Sequence, residues 1–291
     1  MLNEAAPFIN RIGFLQGRLS DPIGANTEAF RWDRWRNEFP TAQKCGFGIM
    51  EWTIGQEHIL MNALMSASGR DEIRQLCGEF EISIPSLSAD FVTQAPFYRV
   101  CGPERLARLD VLAAVVEACA DIGIGLIVVP LLGGGEVRTL KEMESLRSGC
   151  LHIISVLDAA GVVLAFQSDL GPTQLASFIG QYPADRFGIS YDTGSSAAHG
   201  FDSDQEIVAY GNRIVNVHVK DWSWDGGGLP GSGNSHLACS LSRLRRAGYQ
   251  GNLILETPRA ANSHAGLLVQ YRAIAAACWN LVGADGFGAQ G

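Results

Sequence analysis

The sequence predicts one α/β domain over residues 1–291, a (β/α)8 TIM barrel, on the basis of three observations. First, short apolar runs alternate with longer amphipathic stretches along the chain. Second, several of these runs are apolar at consecutive positions, as in parallel strands that are covered on both faces. Third, eight strand–helix units fit the length, because one closed barrel takes about 250 residues. An open doubly wound sheet is the alternative, although no glycine fingerprint for a dinucleotide follows the first strand.

The predicted elements follow one another from about residue 11 to about residue 281. Strands are predicted at 11–17, 48–53, 82–88, 125–131, 162–168, 187–192, 214–219 and 252–257. The spacing of apolar residues predicts helices at 33–45, 69–80, 105–123, 140–160, 237–247 and 264–281, and Pro172 is expected to open a further helix. Glycines at 46, 123, 161 and 248 predict left-handed helix ends. The small residues of 283–291 are expected to form a flexible tail.

The composition argues against several classes of function. The net charge is −8 and the isoelectric point is near 5.3, whereas nucleic acids and anionic membranes are bound by a basic face. No run of about 20 apolar residues is present, and the first residues do not resemble a secretory signal. The seven cysteines include no C-x-x-C pair, which is typical of free thiols in a reducing compartment. We therefore expect a cytoplasmic protein with no nucleic-acid or membrane partner.

Four apolar runs in the second half of the chain each end in a polar residue that can bind a metal. These residues are Gln167, Asp192, His218 and Glu256. A parallel barrel brings the C-terminal ends of its strands to one mouth, so the four side chains are predicted to form a site for Mn²⁺, Mg²⁺, Co²⁺ or Zn²⁺. Taken singly, His218 could be a core residue and Asp192 a helix cap. Glu256 is harder to explain as structural, because a buried unpaired carboxylate costs several kcal/mol.

Polar and aromatic residues near the same strand ends are predicted to contact the substrate. They are Gln16, Arg18, Glu51, Trp52, Asp90 and Lys220. Arg18 and Lys220 could hold a phosphate or carboxylate group of the substrate. The alternative is that these two cations pair with Glu51 and Asp221. Trp52 could form an apolar wall for a sugar ring or pack under the loop after the second strand.

Several motifs of the chain are similar to those of one family of barrels. The motifs are Asp192-Thr-Gly, Asn216-Val-His-Val-Lys-Asp221, Leu255-Glu-Thr257, Ile12-Gly-Phe-Leu-Gln-Gly-Arg-Leu-Ser20 and Met50-Glu-Trp52. With them the chain resembles the xylose-isomerase-like TIM barrel superfamily, and within it the sugar phosphate isomerase/epimerase family. The resemblance extends from about residue 11 to residue 280. It implies the barrel fold and a metal site, and it leaves the substrate open.

The resemblance also implies a ligand set, from which this chain departs at one position. In epimerases of the superfamily, Glu, Asp, His and Glu from strands five to eight hold a divalent metal, and the two glutamates act as bases on opposite faces of the substrate. Asp192, His218 and Glu256 match three of these residues, whereas Gln167 stands in place of the first glutamate. An amide oxygen can bind a metal but cannot usefully accept a proton. Asn234, in the loop after strand seven, stands where an acid is usual.

Together the residues and the resemblance predict a divalent-metal-dependent isomerase or epimerase that acts on a sugar or sugar phosphate through an enediolate. Glu256 is predicted as the catalytic base, and Asp169, on the strand face of Gln167, as a second acid. Isomerisation by Glu256 alone, a non-catalytic sugar-binding barrel and a keto-polyol dehydratase are the alternatives. A metal-dependent endonuclease for abasic DNA is disfavoured by the six histidines and the charge of −8. The expected partner is a small sugar, and the sequence allows a homo-oligomer.

Overall fold

Eight parallel strands form a closed barrel in chain order. The structure is a computed structural model, and it describes residues 11–20, 32–57, 59–220 and 237–256. The strands are β1 (Ile12–Leu15), β2 (Ile49–Thr53), β3 (Ser83–Ser88), β4 (Leu126–Leu131), β5 (Val163–Ser168), β6 (Phe187–Asp192), β7 (Ile214–Val219) and β8 (Leu253–Leu255). The predicted fold class is confirmed.

Helices connect the strands on the described part of the chain. They are α1 (Glu38–Cys45), α2 (Ala67–Phe80), α3 (Asp90–Gln94), α4 (Gly102–Asp121), α5 (Leu140–His152), α6 (Ile154–Ala160), α7 (Pro172–Ile179), α8 (Thr193–Ala198), α9 (Ser203–Tyr210) and α10 (Leu237–Arg246). Short 3-10 turns lie at Trp32–Asn37, Ile59–Met61, Ala63–Met65, Phe97–Arg99, Gly133–Gly135 and Gly211–Arg213. None of the helices in the described ranges is long and apolar enough to cross a membrane.

Each of the eight predicted strands is present, and the largest differences lie at the two ends of the barrel sequence. β1 ends at Leu15, earlier than predicted, because Gly17 has a φ of 90° and turns the chain away from the strand. β8 ends at Leu255, although the Glu256 N–H still donates to the Val219 carbonyl at 3.1 Å. The last hydrogen bond of β8 therefore fixes the backbone of a predicted site residue.

The helices differ more from their predictions than the strands do. The predicted helix 140–160 is two helices, because Ile153, with φ −97° and ψ 10°, interrupts it. The predicted helix 33–45 is helical in the α form only from Glu38 onwards. Pro172 opens α7, as predicted, and the glycines at 46, 123, 161 and 248 have positive φ. The predicted helix 264–281 and the tail 283–291 lie outside the described residues.

By internal contacts the chain divides into two compact units, of which residues 1–50 and 191–291 form the first. In this unit β8 pairs in parallel with both β7 and β1. Ile254 of β8 is buried with Leu15 and Ile49. β1, β2 and β8 therefore each contribute a residue to one apolar cluster, and Glu256 directly follows β8.

Residues 51–190 form the second unit, in which β4 pairs in parallel with β3 and β5, and β5 pairs with β6. Its aromatic core centres on Phe166 of β5. The Phe166 ring lies 5.3 Å from that of Phe178, 5.1 Å from that of Tyr182 and 6.0 Å from that of Phe187, measured between ring centroids. This packing attaches α7 to the outer face of β5 and β6.

Candidate metal centre

The register of β7 and β8 brings two of the predicted metal ligands together. His218 pairs with Ile254 across the ladder. Because strand residues two apart point the same way, Glu256 extends from the face of Ile254 towards His218. The His218 Nδ1 atom lies 3.0 Å from Glu256 Oε2. The strand-end geometry inferred from the sequence therefore holds for this pair.

Asp192 completes a cluster with His218 and Glu256. Each of the three residues offers one possible ligand atom. These three atoms, all in the described part of the chain, lie within 4.8 Å of one another. The His218 and Asp192 side chains are 1% and 3% exposed, and the Glu256 side chain is 15% exposed. Two carboxylates and one imidazole are donors that suit a divalent cation, so the residues fit the metal that the sequence predicts.

Asp192 is both a helix cap and a member of the cluster. Its Oδ1 atom accepts hydrogen bonds from the Gly194 N–H at 2.9 Å and the Ser195 N–H at 3.0 Å, which caps α8. Its Oδ2 atom is left to face the cluster and lies 3.0 Å from Lys220 Nζ. Asp192 therefore caps α8, as one of its two interpretations holds, and its role as a metal ligand stays a prediction.

The Asp-Thr-Gly motif at the end of β6 is explained by the position of Lys220. The Thr193 hydroxyl donates to the Lys220 carbonyl at 2.9 Å and accepts from the Lys220 N–H at 3.1 Å. A Cβ on Gly194 would lie 2.5 Å from the Lys220 Cβ, so only glycine leaves room there. The residues after Asp192 thus fix the backbone at the end of β7.

Lys220 places a positive charge inside the cluster. Its Nζ lies 3.0 Å from Asp192 Oδ2 and 2.9 Å from Glu256 Oε1. Burial by itself lowers the pKa of the Lys220 ammonium, but attraction to Glu256 and Asp192 outweighs burial and raises that pKa above its usual value. Lys220 therefore pairs with acids, as the alternative interpretation predicts, and the acids that it contacts are Asp192 and Glu256. Asp221, the acid suggested from the sequence, lies outside the described residues.

Glu256 is surrounded by positive and hydrogen-bonding groups. Its Oε1 atom lies 3.4 Å from Arg18 Nη2 in addition to its contact with Lys220. Burial by itself raises the pKa of the Glu256 carboxyl, but the Lys220 ammonium and the His218 ring outweigh burial and hold that pKa well below its usual range. Glu256 is therefore an anion in this arrangement, and it is a weak base for as long as Lys220 stays in contact.

Glu38, which sequence reasoning missed, holds the loop that carries Arg18. This buried carboxylate accepts from the Gly17 N–H at 2.7 Å, the Leu19 N–H at 3.2 Å and the Ser20 hydroxyl at 2.9 Å. Arg18 is itself buried, at 9% exposure. α1 therefore fixes the loop after β1 and with it the guanidinium that faces Glu256.

A second missed carboxylate, Glu206 of α9, lies behind the end of β6. It is buried and accepts from the Tyr191 hydroxyl at 2.9 Å, the Ser196 hydroxyl at 2.5 Å and the Tyr210 hydroxyl at 2.8 Å. Tyr191 precedes Asp192, and Ser196 lies in the helix that Asp192 caps. The network ties together the segments on both sides of Asp192.

Gln16 and three other polar residues of the predicted site are placed at strand ends, where their roles stay predictions. Gln16 is buried directly after β1. Gln167 is buried in β5, and Asp169, directly after that strand, is half-buried. Asp90 opens α3 and accepts a hydrogen bond from the Ser88 hydroxyl at 2.7 Å. Gln167, Asp169 and Asp90 belong to the second unit.

Glu51 and Trp52 of β2 also belong to the second unit, and both are buried. Glu51 accepts a hydrogen bond from the Ser86 hydroxyl at 2.7 Å. The Trp52 indole N–H donates to the Asn62 side chain at 3.1 Å, and Asn62 caps the turn that starts at Ala63. Trp52 therefore packs against the loop after β2, which favours the second of its two predicted roles.

The fold and the site together define a class: closed (β/α)8 barrels with a candidate metal centre at their C-terminal strand ends. The chain belongs to the xylose isomerase-like TIM barrel family, whose model matches residues 39–274. The predicted resemblance is confirmed by this match. No curated protein matches the chain in sequence.

Solved structures of sugar epimerases have the same fold. L-ribulose 3-epimerase is 15% identical with a TM-score of 0.75, over 96% of this chain and 98% of that one. The 3-keto-D-glucoside 4-epimerase from E. coli is 18% identical with a TM-score of 0.65, over 92% and 99%. D-psicose 3-epimerase from Clostridium cellulolyticum H10, solved with D-tagatose, is 13% identical with a TM-score of 0.67, over 94% and 98%. At identities this low, the structural similarity establishes a common fold alone.

Proposed function

We propose that this chain is a divalent-metal-dependent isomerase or epimerase that acts on a sugar or sugar phosphate. The observation that carries the proposal is the buried cluster of Asp192, His218 and Glu256 at three successive strand ends, with ligand atoms within 4.8 Å of one another. Two carboxylates and one imidazole that converge in this way form a donor set that suits a divalent cation. Membership of the xylose isomerase-like family supports the same assignment.

Asp192, His218 and Glu256 would hold the cation, with the Gln167 amide oxygen proposed as a fourth ligand. Bound there, a divalent ion would supply Lewis-acid polarisation of a substrate carbonyl. The chain fixes its own ligands in advance: the α8 cap orients Asp192, and the Val219 carbonyl anchors the backbone of Glu256. Ligands held in this way lose little conformational freedom when they bind an ion.

Glu256 is the residue that we assign as the base for the proton next to the substrate carbonyl. Isomerisation can return this proton on the same face with one base, whereas epimerisation needs a second acid on the opposite face. The Gln167 amide cannot serve as that acid. Asp169 is our proposed second acid. Arg18, in the loop that Glu38 holds, is proposed to bind an anionic group of the substrate.

The substrate class rests on the solved structures of the same fold. The neighbours named above are epimerases of keto sugars or of a ketoglycoside, and a D-allulose 3-epimerase of this fold is solved in complex with D-allulose. Each of these ligands carries a carbonyl beside a carbon that bears hydroxyl and hydrogen. We therefore propose a ketose, a ketose phosphate or a keto sugar derivative for this chain.

The metal part of the proposal is tested by elemental analysis of protein purified without chelator. Wild type is expected to retain one divalent ion, and Asp192→Asn to lose it, because asparagine keeps a cap oxygen but removes the ligand charge. Asp110→Asn is the matched control, since Asp110 is exposed on α4. The proposal would be refuted if wild type retained no divalent ion and if, after metal was added, wild type and Asp192→Asn bound the same amount of it.

The chemical part is tested by exchange of solvent deuterium into a panel of ketoses and their phosphates. Wild type is expected to label the carbon next to the carbonyl, and Glu256→Gln to lose this labelling. Glu79→Gln, a change at an exposed residue of α2, is the control. Metal binding without exchange would contradict catalysis on this panel and favour the alternative of a non-catalytic sugar-binding barrel, which the amide at Gln167 motivates. Loss of water from the panel would identify a keto-polyol dehydratase.

A further inference from the structure

The positive charge of Lys220 already occupies the place of a cation between the two carboxylates of the cluster. Its Nζ is 2.9 Å from Glu256 Oε1 and 3.0 Å from Asp192 Oδ2, both of which are oxygens of the proposed ligands. Divalent ions lie about 2.0–2.2 Å from carboxylate oxygens. An ammonium and a divalent ion that share the same pair of oxygens would repel each other, so that each weakens the binding of the other.

We propose that Lys220 is the resident cation of this site and that a divalent ion binds only by displacing its ammonium. The inference rests on the proposed metal binding and adds a competitor from the chain itself. In the absence of an ion, Lys220 and Arg18 balance the charges of Asp192 and Glu256. When an ion enters, the ammonium leaves, and Lys220 becomes available to contact an anionic group of the substrate.

The surroundings of Lys220 allow this displacement without a change of backbone. Thr193 fixes the Lys220 N–H and carbonyl, so the end of β7 stays in place. The Lys220 side chain is 29% exposed, whereas the Asp192 side chain is only 3% exposed. The Lys220 side chain can therefore move towards solvent, whereas the Asp192 side chain is enclosed by protein.

Removing the ammonium should make divalent ions bind more tightly. Lys220→Met keeps the length and the apolar stem of the side chain but removes its charge. An ion that binds to wild type must first break the contacts of the ammonium with Asp192 and Glu256, whereas in Lys220→Met these contacts do not exist. We therefore expect Lys220→Met to bind Mn²⁺ about 10- to 100-fold more tightly than wild type, which corresponds to about 1.4–2.8 kcal/mol. Lys141→Met, at an exposed lysine of α5, is the matched control and should leave the affinity unchanged.

Calorimetric titration of Mn²⁺ into wild type, Lys220→Met and Lys141→Met separates the two proposals. Tighter binding by Lys220→Met alone supports displacement. Equal affinities for all three proteins overturn displacement and leave the metal site in place. No binding by any of them overturns displacement and also the metal part of the proposed function.

Chemical labelling of wild type provides a second test that does not depend on the folding of a variant. The chain has only three lysines, and Lys44 and Lys141 are exposed. An amine-acetylating reagent, with peptide mass spectrometry, should label Lys220 slowly without metal and faster at saturating Mn²⁺. The rates at Lys44 and Lys141 should not change. An unchanged rate at Lys220 in protein that has bound Mn²⁺ would contradict the inference.

Discussion

Replacement of Gly194 by alanine tests whether the end of β6 is packed against the end of β7 as described. The new Cβ would lie 2.5 Å from the Lys220 Cβ and 3.2 Å from the Lys220 carbonyl oxygen. Carbon atoms pack best at about 3.5–4.0 Å, so the contact must open by about 1 Å. The Lys220 backbone cannot retreat freely, because the Thr193 hydroxyl binds both its N–H and its carbonyl.

The expected loss of stability follows from these contacts. Overpacking typically costs about 1–3 kcal/mol, and strained hydrogen bonds at Thr193 add about 1 kcal/mol. Alanine recovers about 0.5–1 kcal/mol from its better helix propensity in α8. The net effect of Gly194→Ala is therefore a loss of about 1–3 kcal/mol. At roughly 2 °C per kcal/mol for a domain of this size, the melting temperature should fall by about 2–6 °C.

Thermal unfolding followed by circular dichroism measures this loss, with Gly78→Ala as the matched control. Gly78 is exposed in α2, and a Cβ there meets nothing within 4 Å. The control should therefore gain about 0.5–1 kcal/mol from helix propensity. The two glycines thus predict shifts of opposite sign. If Gly194→Ala melts at or above the temperature of wild type, the close approach of Gly194 to Lys220 does not exist in the protein.

Three further changes test the groups that support the cluster. Glu206→Gln should lower the free energy of unfolding by about 1–3 kcal/mol in a urea titration, because an amide cannot accept all three hydroxyl hydrogen bonds; equal stability of Glu206→Gln and the control Glu79→Gln would argue against the network. Glu38→Gln sets an amide NH₂ against a backbone N–H, so amide hydrogen exchange at residues 17–19 should accelerate in mass spectrometry; unchanged exchange would mean that this carboxylate does not hold the loop. Thr193→Val should lower the melting temperature by a few degrees, whereas Thr193→Ser should restore most of the loss, and identical melting of the two variants would exclude the hydroxyl as the cause.

The strands and the proximity of Asp192, His218 and Glu256 could be predicted because both depend on local pattern. An apolar run that ends in Asp192, His218 or Glu256 is visible in the sequence, and a parallel barrel places such ends on one side. The partners of Lys220 could not be predicted in the same way. Strand parity places Lys220 on the face of His218, but which acid it meets depends on the register with β8, which one sequence does not reveal.

Glu38 and Glu206 were missed for a different physical reason. Both lie in helices, where an acidic residue is ordinarily assigned to the solvent face. Their burial is possible because donors from distant segments satisfy them: backbone N–H groups of the loop after β1 for Glu38, and hydroxyl groups of Tyr191, Ser196 and Tyr210 for Glu206. Helical spacing contains no information about these donors. Helix α8 was missed because its small residues show no apolar stripe.

The two hydrogen bonds of the Thr193 hydroxyl fix the backbone of Lys220 and leave the bonds of its side chain able to rotate. Rotation about side-chain bonds can carry the ammonium away while the peptide at residue 220, and with it His218 two residues earlier, stays where it is. Rotation of a side chain is faster than the reorganisation of a loop. The exchange of cations proposed above therefore needs only a rotamer change of Lys220, with the backbone of the proposed ligands already in position.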